Sequence, residues 1–223
     1  MPSTPSPSPV LHPSPSRPLA RPAQQSLTTA TLRRAAPLAV LVSLACTVLP
    51  GAAQDSPVRL SGEQRRFFID GARAAGDVGL ASVGVQLPWQ SLRRPLLGGE
   101  LTGHWDLHVA HWRVPGGTAA SADRRHWTQV ALVPTLRLRF NGGESAWFME
   151  GGIGLSVLDG HYATRYKRFS TRFNFTDHQG FGFNFGANRE HEVMLILRHV
   201  SNGGIRKPNP GENFVQLRYS HTF

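Results

Sequence analysis

The chain has 223 residues, is 40% hydrophobic and 17% charged, and carries a formal net charge of +10, a length that suits one domain plus processed or linking segments. Its single cysteine, Cys46, excludes a disulfide framework and a multi-cysteine zinc site, and past the N-terminal region no apolar run is long enough for a transmembrane helix. The cations, all arginine except Lys167 and Lys207, favour a polyanionic partner, whether nucleic acid, phospholipid or another phosphorylated surface.

In chain order, residues 1–30 are rich in Pro and Ser, without an acid or an apolar period, and read as a disordered extension ahead of a translation start further downstream. Residues 31–53 read as a secretory signal peptide: Arg33-Arg34, an apolar run from Ala35 to Leu49, then Pro50-Gly51-Ala52-Ala53 with cleavage after Ala53. Ser43-Leu44-Ala45-Cys46 makes a poor lipoprotein box, because Ser43 stands where an aliphatic residue is usual. The mature domain is then 54–223, without cysteine. Four cations (Arg17, Arg21, Arg33 and Arg34) and no acid precede it.

From residue 63 the dominant period is two. A first strand is expected over about 63–72 and a second over 77–87, with Gly79, Ala81, Val83, Val85 and Leu87 on one face. Leu101, Trp105, Leu107 and Val109 form the apolar face of a third; Val130, Leu132, Leu136, Leu138 and Phe140 of a fourth; Trp147, Met149, Ile153, Leu155 and Val157 of a fifth. Phe173–Phe185, Val193–Ser201 and Val215–Phe223 complete eight strands, each with one apolar and one mostly polar or small face.

A lipocalin-like barrel would bury the apolar face inside; an outer-membrane barrel would turn it to lipid. Segments of about ten residues match a tilted membrane-crossing strand. Trp89, Trp112, Trp127, Trp147 and Tyr219 near segment ends suit interfacial girdles, and the terminal Phe223 resembles the export signal of outer-membrane barrels. The expected fold is therefore all-β: an eight-stranded antiparallel transmembrane β-barrel of the bacterial outer membrane. Short turns at 141–144 and 186–190 then face the periplasm, and longer connections near 115–125, 159–172 and 202–212 face outward. The 88–100 connection is long for a periplasmic turn, and the pattern gives no account of it.

The chemistry lies in the last strand pair. His199 and Ser201 are two apart, hence on one face, shared with Val193, Leu195 and Leu197. A polar pair on a lipid-facing surface marks function. After a turn-forming loop comes Glu212, the only acidic side chain beyond Glu192. Nucleophile, base and orienting acid could be Ser201, His199 and Glu212. No G-x-S-x-G elbow is present, so spacing alone leaves open a girdle histidine with a serine capping a turn.

Arg198-His199-Val200-Ser201-Asn202-Gly203-Gly204-Ile205, followed by Pro208-Asn209, resembles the C-terminal signature of the lipid A 3-O-deacylase family, eight-stranded outer-membrane serine esterases. The likeness extends through Leu101-Thr102-Gly103-His104-Trp105-Asp106, Glu150-Gly151-Gly152-Ile153-Gly154 and Phe173-Asn174-Phe175-Thr176-Asp177. It implies hydrolysis of the acyl ester at position 3 of lipid A in lipopolysaccharide, at the outer leaflet. By that likeness His199 is the base, Ser201 the nucleophile and Glu212 the orienting acid, with Asn202, Asn209 and the backbone N–H of Gly204 as oxyanion-hole candidates. The loop before the glutamate is one residue shorter than in the family pattern, and Gly203 stands where alanine is usual. No cofactor or metal is implied, nucleic acid drops out as a partner, and a homodimer is an assembly the sequence allows.

Other constellations have simpler readings. His104, Asp106 and His108 alternate on an inward face and could ligate a metal, but polar lumen lining explains them better. Asp106 and Glu150 are expected to pair with Arg137 or Arg139 inside the barrel. The rival functions are a non-catalytic adhesin or structural barrel and a calcium-dependent outer-membrane phospholipase; no acidic calcium cluster stands out in the sequence. Among the cations of the long connections, Arg165, Lys167, Arg168, Arg206 and Lys207 are candidate contacts to lipid A phosphates, against the bland reading of a codon preference for arginine.

Overall fold

The computed structural model describes residues 64–121 and 123–223; the N-terminal extension and the signal peptide lie outside the described residues. Eight antiparallel strands close a barrel in sequence order: β1 (Arg66–Ala74), β2 (Val78–Leu96), β3 (Gly99–Arg113), β4 (His126–Arg139), β5 (Trp147–Leu158), β6 (Phe173–Phe185), β7 (His191–Ser201) and β8 (Glu212–Thr222). β1 pairs with both β2 and β8, so no sheet edge remains. This is the closed barrel that the period of two predicts.

Alternation decides which face each residue takes. In β7, Glu192, Met194, Ile196, Arg198 and Val200 are buried in the lumen, while Val193, Leu195 and Leu197 point outward. Ile69, Val83, Val109, Val130, Leu132, Leu155, Leu195 and Leu217 form an exposed apolar belt around the outside, which is the surface a barrel offers to hydrocarbon. The connections 114–125, 159–172 and 202–211 gather at one end, called the long-loop end below. The opposite end carries 97–98, 140–146 and 186–190.

The stretch 88–100 is not a loop. β2 and β3 extend together to a two-residue turn at Leu97-Gly98, both at positive φ (49° and 72°), the turn geometry that matches the twist of a hairpin. A bulge hides the strand period: residues 89–92 oppose Gly103 alone. Gly103 is required there, because an added Cβ would lie 2.2 Å from the Trp89 ring.

The lumen is filled in two ways. Toward the short-turn end, Arg137 bridges Glu150 at 2.7 Å and Glu192 at 2.6 Å. Arg218 bridges Asp70 at 3.0 Å and Asp106 at 2.5 Å. Asp106 therefore pairs with Arg218, not with Arg137 or Arg139, because its inward position on β3 faces β8 across the lumen. His108 donates through Nδ1 to Asp106 (2.7 Å) and accepts from Arg198 at Nε2 (2.7 Å), so the inward row of β3 is tied into this network.

At the long-loop end the filling is aromatic. Trp112, Trp127, Tyr162, Phe169 and Phe214 are all buried, with edge-to-face contacts at 4.9–5.3 Å between Trp112 and Phe214, Trp112 and Tyr162, Trp127 and Tyr162, and Tyr162 and Phe169. Trp112 and Trp127 are thus part of a lumen plug and not of a lipid-facing girdle. Their indole N–H groups, which donate to Gln129 Oε1 and the His161 carbonyl, explain the inward choice: each finds an acceptor that hydrocarbon would not supply. Trp147 and Trp105 do face outward.

Candidate active site

Ser201 is the last residue of β7 and His199 lies two before it, both on the outward face at the long-loop end. In register, His199 stands between Asp177 of β6 and Asn213 of β8, and Ser201 opposite Phe175. The His199 Nδ1 lies 2.6 Å from the Asn213 Oδ1. With an amide oxygen as partner, Nδ1 carries the proton, and Nε2 keeps the lone pair a general base needs.

The ring is held from a second side. Gly211, at φ +64°, packs against it so closely that an added Cβ would sit 2.6 Å from Cε1 and 3.2 Å from Nε2. Only glycine combines that backbone conformation with that approach. Ser201 Oγ accepts the Gly203 N–H at 3.4 Å, a local bond within the turn that leaves β7.

Glu212 is elsewhere. It opens β8 on the inward face, is 1% exposed, accepts from the Tyr162 hydroxyl at 2.7 Å and pairs with Lys167 Nζ at 2.7 Å. The expected contact with His199 is not made, because residue 212 points into the lumen where residue 213 points out. Asn213 occupies the place expected of the acid. Glu212 instead fastens the 159–172 connection over the plug; burial and the adjacent Glu212 carboxylate push the Tyr162 phenol up, so it remains a donor.

The oxyanion-hole candidates meet one another. Asn202 Oδ1 accepts the Gly204 N–H at 2.9 Å, and the Asn202 N–H donates to Asn209 Oδ1 at 3.0 Å. The Asn202 amide nitrogen donates to Ser170 Oγ (2.9 Å) and the Arg206 carbonyl (2.7 Å). These groups therefore build the loop beside Ser201. The donor nearest the hydroxyl is the Gly203 N–H, and Asn209, which accepts through Oδ1, keeps its amide nitrogen as a donor. Of the basic candidates, Arg165, Arg168, Arg206 and Lys207 are exposed; Lys167 is the exception, since it neutralises Glu212. Sequence reasoning missed Asn213 and Gly211. The strand alternation carried the signal for the first, and the Pro-Gly pair before β8 for the second.

The family model described as lipid A 3-O-deacylase (PagL) matches residues 79–222. The chain belongs to that family. It is 27% identical over 191 residues to Lipid A deacylase PagL of Pseudomonas aeruginosa, an alignment covering 84% of this chain and 98% of that protein. It is 32% identical over 120 residues to Lipid A deacylase PagL of Bordetella bronchiseptica, covering 53% and 61%. The crystal structure of the outer membrane enzyme PagL superposes with a TM-score of 0.59 at 22% identity, covering 71% of this chain and 99% of that one. This likeness of fold agrees with an outer-membrane barrel.

Proposed function

We propose that this barrel hydrolyses the acyl ester at position 3 of lipid A, in the outer leaflet, with Ser201 as nucleophile, His199 as base and Asn213 as the group that orients His199. The observation that carries the assignment is the His199–Asn213 contact on the outward face, beside the only serine on β7. Ser201 Oγ attacks the ester carbonyl carbon while His199 Nε2 takes its proton. The negative charge moves to the carbonyl oxygen, for which the Gly203 N–H beside Ser201 Oγ and the Asn209 amide are the candidate donors. The C–O bond to the sugar then breaks, and His199 returns the proton to the sugar oxygen. Water, deprotonated by His199, attacks the acyl-serine, and a fatty acid leaves as Ser201 is restored.

Asn213 fixes the tautomer as an acid would, but supplies no negative charge to the imidazolium. A negative charge for the imidazolium has a candidate source on the neighbouring strand, where Asp177 stands across from His199. Substrate reaches the outward face laterally, through the membrane, so the lumen can be filled without blocking it.

The test is to incubate the refolded barrel with lipopolysaccharide and weigh the lipid A by mass spectrometry. Loss of one hydroxyacyl chain from position 3 is expected with the natural sequence and not with Ser201→Ala, whose heat-modifiable gel mobility stays intact. Deacylation by Ser201→Ala would overturn the mechanism; an unchanged spectrum with the natural chain would return the non-catalytic reading.

A further inference from the structure

The outward surface carries a groove of about 650 Å³ on the β8 side of His199, lined by β8, β1, β2 and β3 with Leu195 of β7 at its edge. Its volume falls within the usual range of ligand sites. The register explains how it forms. One row runs Val215, Arg73, Gly79, Arg113 across β8, β1, β2 and β3; the row beneath runs Leu217, Gly71, Ala81, His111. Three of the eight positions are Gly or Ala, so the trough is cut by missing side chains between Val215 and Leu217 on one wall and His111 and Arg113 on the other. Below it Ile69, Val83 and Val109 restore the full belt.

The trough is amphipathic along its length. Its upper row holds Arg73 and Arg113, two strand spacings or about 10 Å apart, with only Gly79 between them. Asp77 lines the same rim, but it meets Arg73 through its backbone carbonyl, at 3.5 Å. His111 is turned toward His126, at 3.0 Å. Two arginines flanking a glycine, with the Arg73 guanidinium reaching over it, form an anion seat, and the apolar trough beneath suits a hydrocarbon chain. The groove also starts at the site itself: Val215 follows Asn213 on the same face of β8, one side chain further down the strand.

We propose that this groove seats the non-scissile part of the same lipid A molecule whose ester meets Ser201, one acyl chain lying along Gly71 and Ala81 and a phosphate resting between Arg73 and Arg113. The inference rests on the deacylase reading above. Continuity with Asn213 selects the reacting substrate over an unrelated lipid, and the paired arginines select a phosphorylated head. A chain entering the groove leaves lipid, not water, so the gain is contact and orientation and not hydrophobic transfer. Its effect is correspondingly moderate.

The experiment uses the refolded full barrel with Gly71→Leu, which fills the trough, and with the double change Arg73→Gln/Arg113→Gln. A Cβ added at Gly71 meets no atom within 4 Å, so the first variant keeps the fold. Expected for Gly71→Leu is a loss of about five- to tenfold in kcat/KM on bisphosphorylated lipid A, with cleavage of p-nitrophenyl hexanoate unchanged. The arginine variant loses a similar factor on bisphosphorylated lipid A and none on its dephosphorylated form. In a Ser201→Ala background, retention of labelled lipid A falls with the same groove changes. That arm reads the groove even if the natural chain cleaves nothing, so the two failures separate. Groove variants that bind and cleave like the natural chain overturn the proposal, as does a loss of phosphatidylglycerol retention with lipid A retention untouched.

Discussion

At the long-loop end the lumen is closed by five aromatic side chains and one buried carboxylate; toward the short-turn end it is crossed by arginines set between pairs of acids. The two fillings suit different tasks. Rings pack in many combinations and tolerate a loop folded among them, so the aromatic end can fix the 159–172 connection and, with it, the surroundings of Ser201. Buried ion pairs tolerate little: each charge depends on a specific partner across the lumen. The difference separates a half that holds the barrel closed from a half that, on the proposed function, positions the chemistry. Changes in the first should move stability before activity, and changes in the second the reverse.

The strongest break of that division is Arg137→Met. It leaves Glu150 without an arginine and Glu192 with only the longer Arg66 contact at 3.8 Å, at a cost of about 3–5 kcal/mol. The urea midpoint of the refolded barrel should fall accordingly, and adding Glu150→Gln and Glu192→Gln should recover most of the loss. A barrel that keeps its midpoint with the single change would mean that the ion network does not hold the fold.

Next in size is Asn213→Ala, which leaves the His199 ring held on one side only. A loss of tenfold or more in kcat is expected, with little change in the urea midpoint, because the residue is exposed on the outward face. Asn213→Asp sharpens the same point. A carboxylate accepts the Nδ1 proton as the amide oxygen does, so this variant should keep most of the activity that Asn213→Ala loses. A loss as large as that of Asn213→Ala would remove Asn213 from the orienting role.

That position was legible in the sequence, though spacing along the chain obscured it. The alternation within Val215–Phe223, carried back along the strand, fixes the parity of its neighbours: 213 points out with Val215 and Leu217, and 212 points in with Gln216 and Arg218. A carboxylate at 212 suits the chemistry of a triad, but the parity of β8 turns it into the lumen. The bulge at 89–92 failed to be read for a different reason. Four residues opposite one glycine break the alternation, and no local pattern distinguishes such a bulge from a loop. Trp112 and Trp127 misled because interface and lumen rings look alike in sequence; only the acceptors at Gln129 and His161 separate them.

Tyr162→Phe gives a smaller effect. The change removes one hydrogen bond to a buried carboxylate that Lys167 still pairs with, so about 1–3 kcal/mol is at stake. The loosened element is the 159–172 connection and not the barrel wall. Faster proteolysis in that connection and a several-fold loss of activity should appear together, with the urea midpoint nearly unchanged. A fall in midpoint as large as that of Arg137→Met would erase the distinction between the two halves.

The smallest effect concerns the exposed loop cations, where the proximity of Lys167 to the others is deceptive. Arg165, Arg168 and Arg206 project from the long-loop end, so their attraction for a phosphorylated headgroup is screened over roughly 8 Å at 0.15 M salt. Each exposed contact is worth little on its own. The triple change Arg165→Gln/Arg168→Gln/Arg206→Gln should therefore lower kcat/KM on lipid A about two- to threefold at low salt and not at all at high salt. Lys167→Met should behave differently, because its charge is spent on Glu212: its loss should persist at high salt and be accompanied by looser packing of the 159–172 connection. If the triple variant and Lys167→Met show one common salt dependence, Lys167 acts with the surface arginines and the aromatic end is not fastened through Glu212.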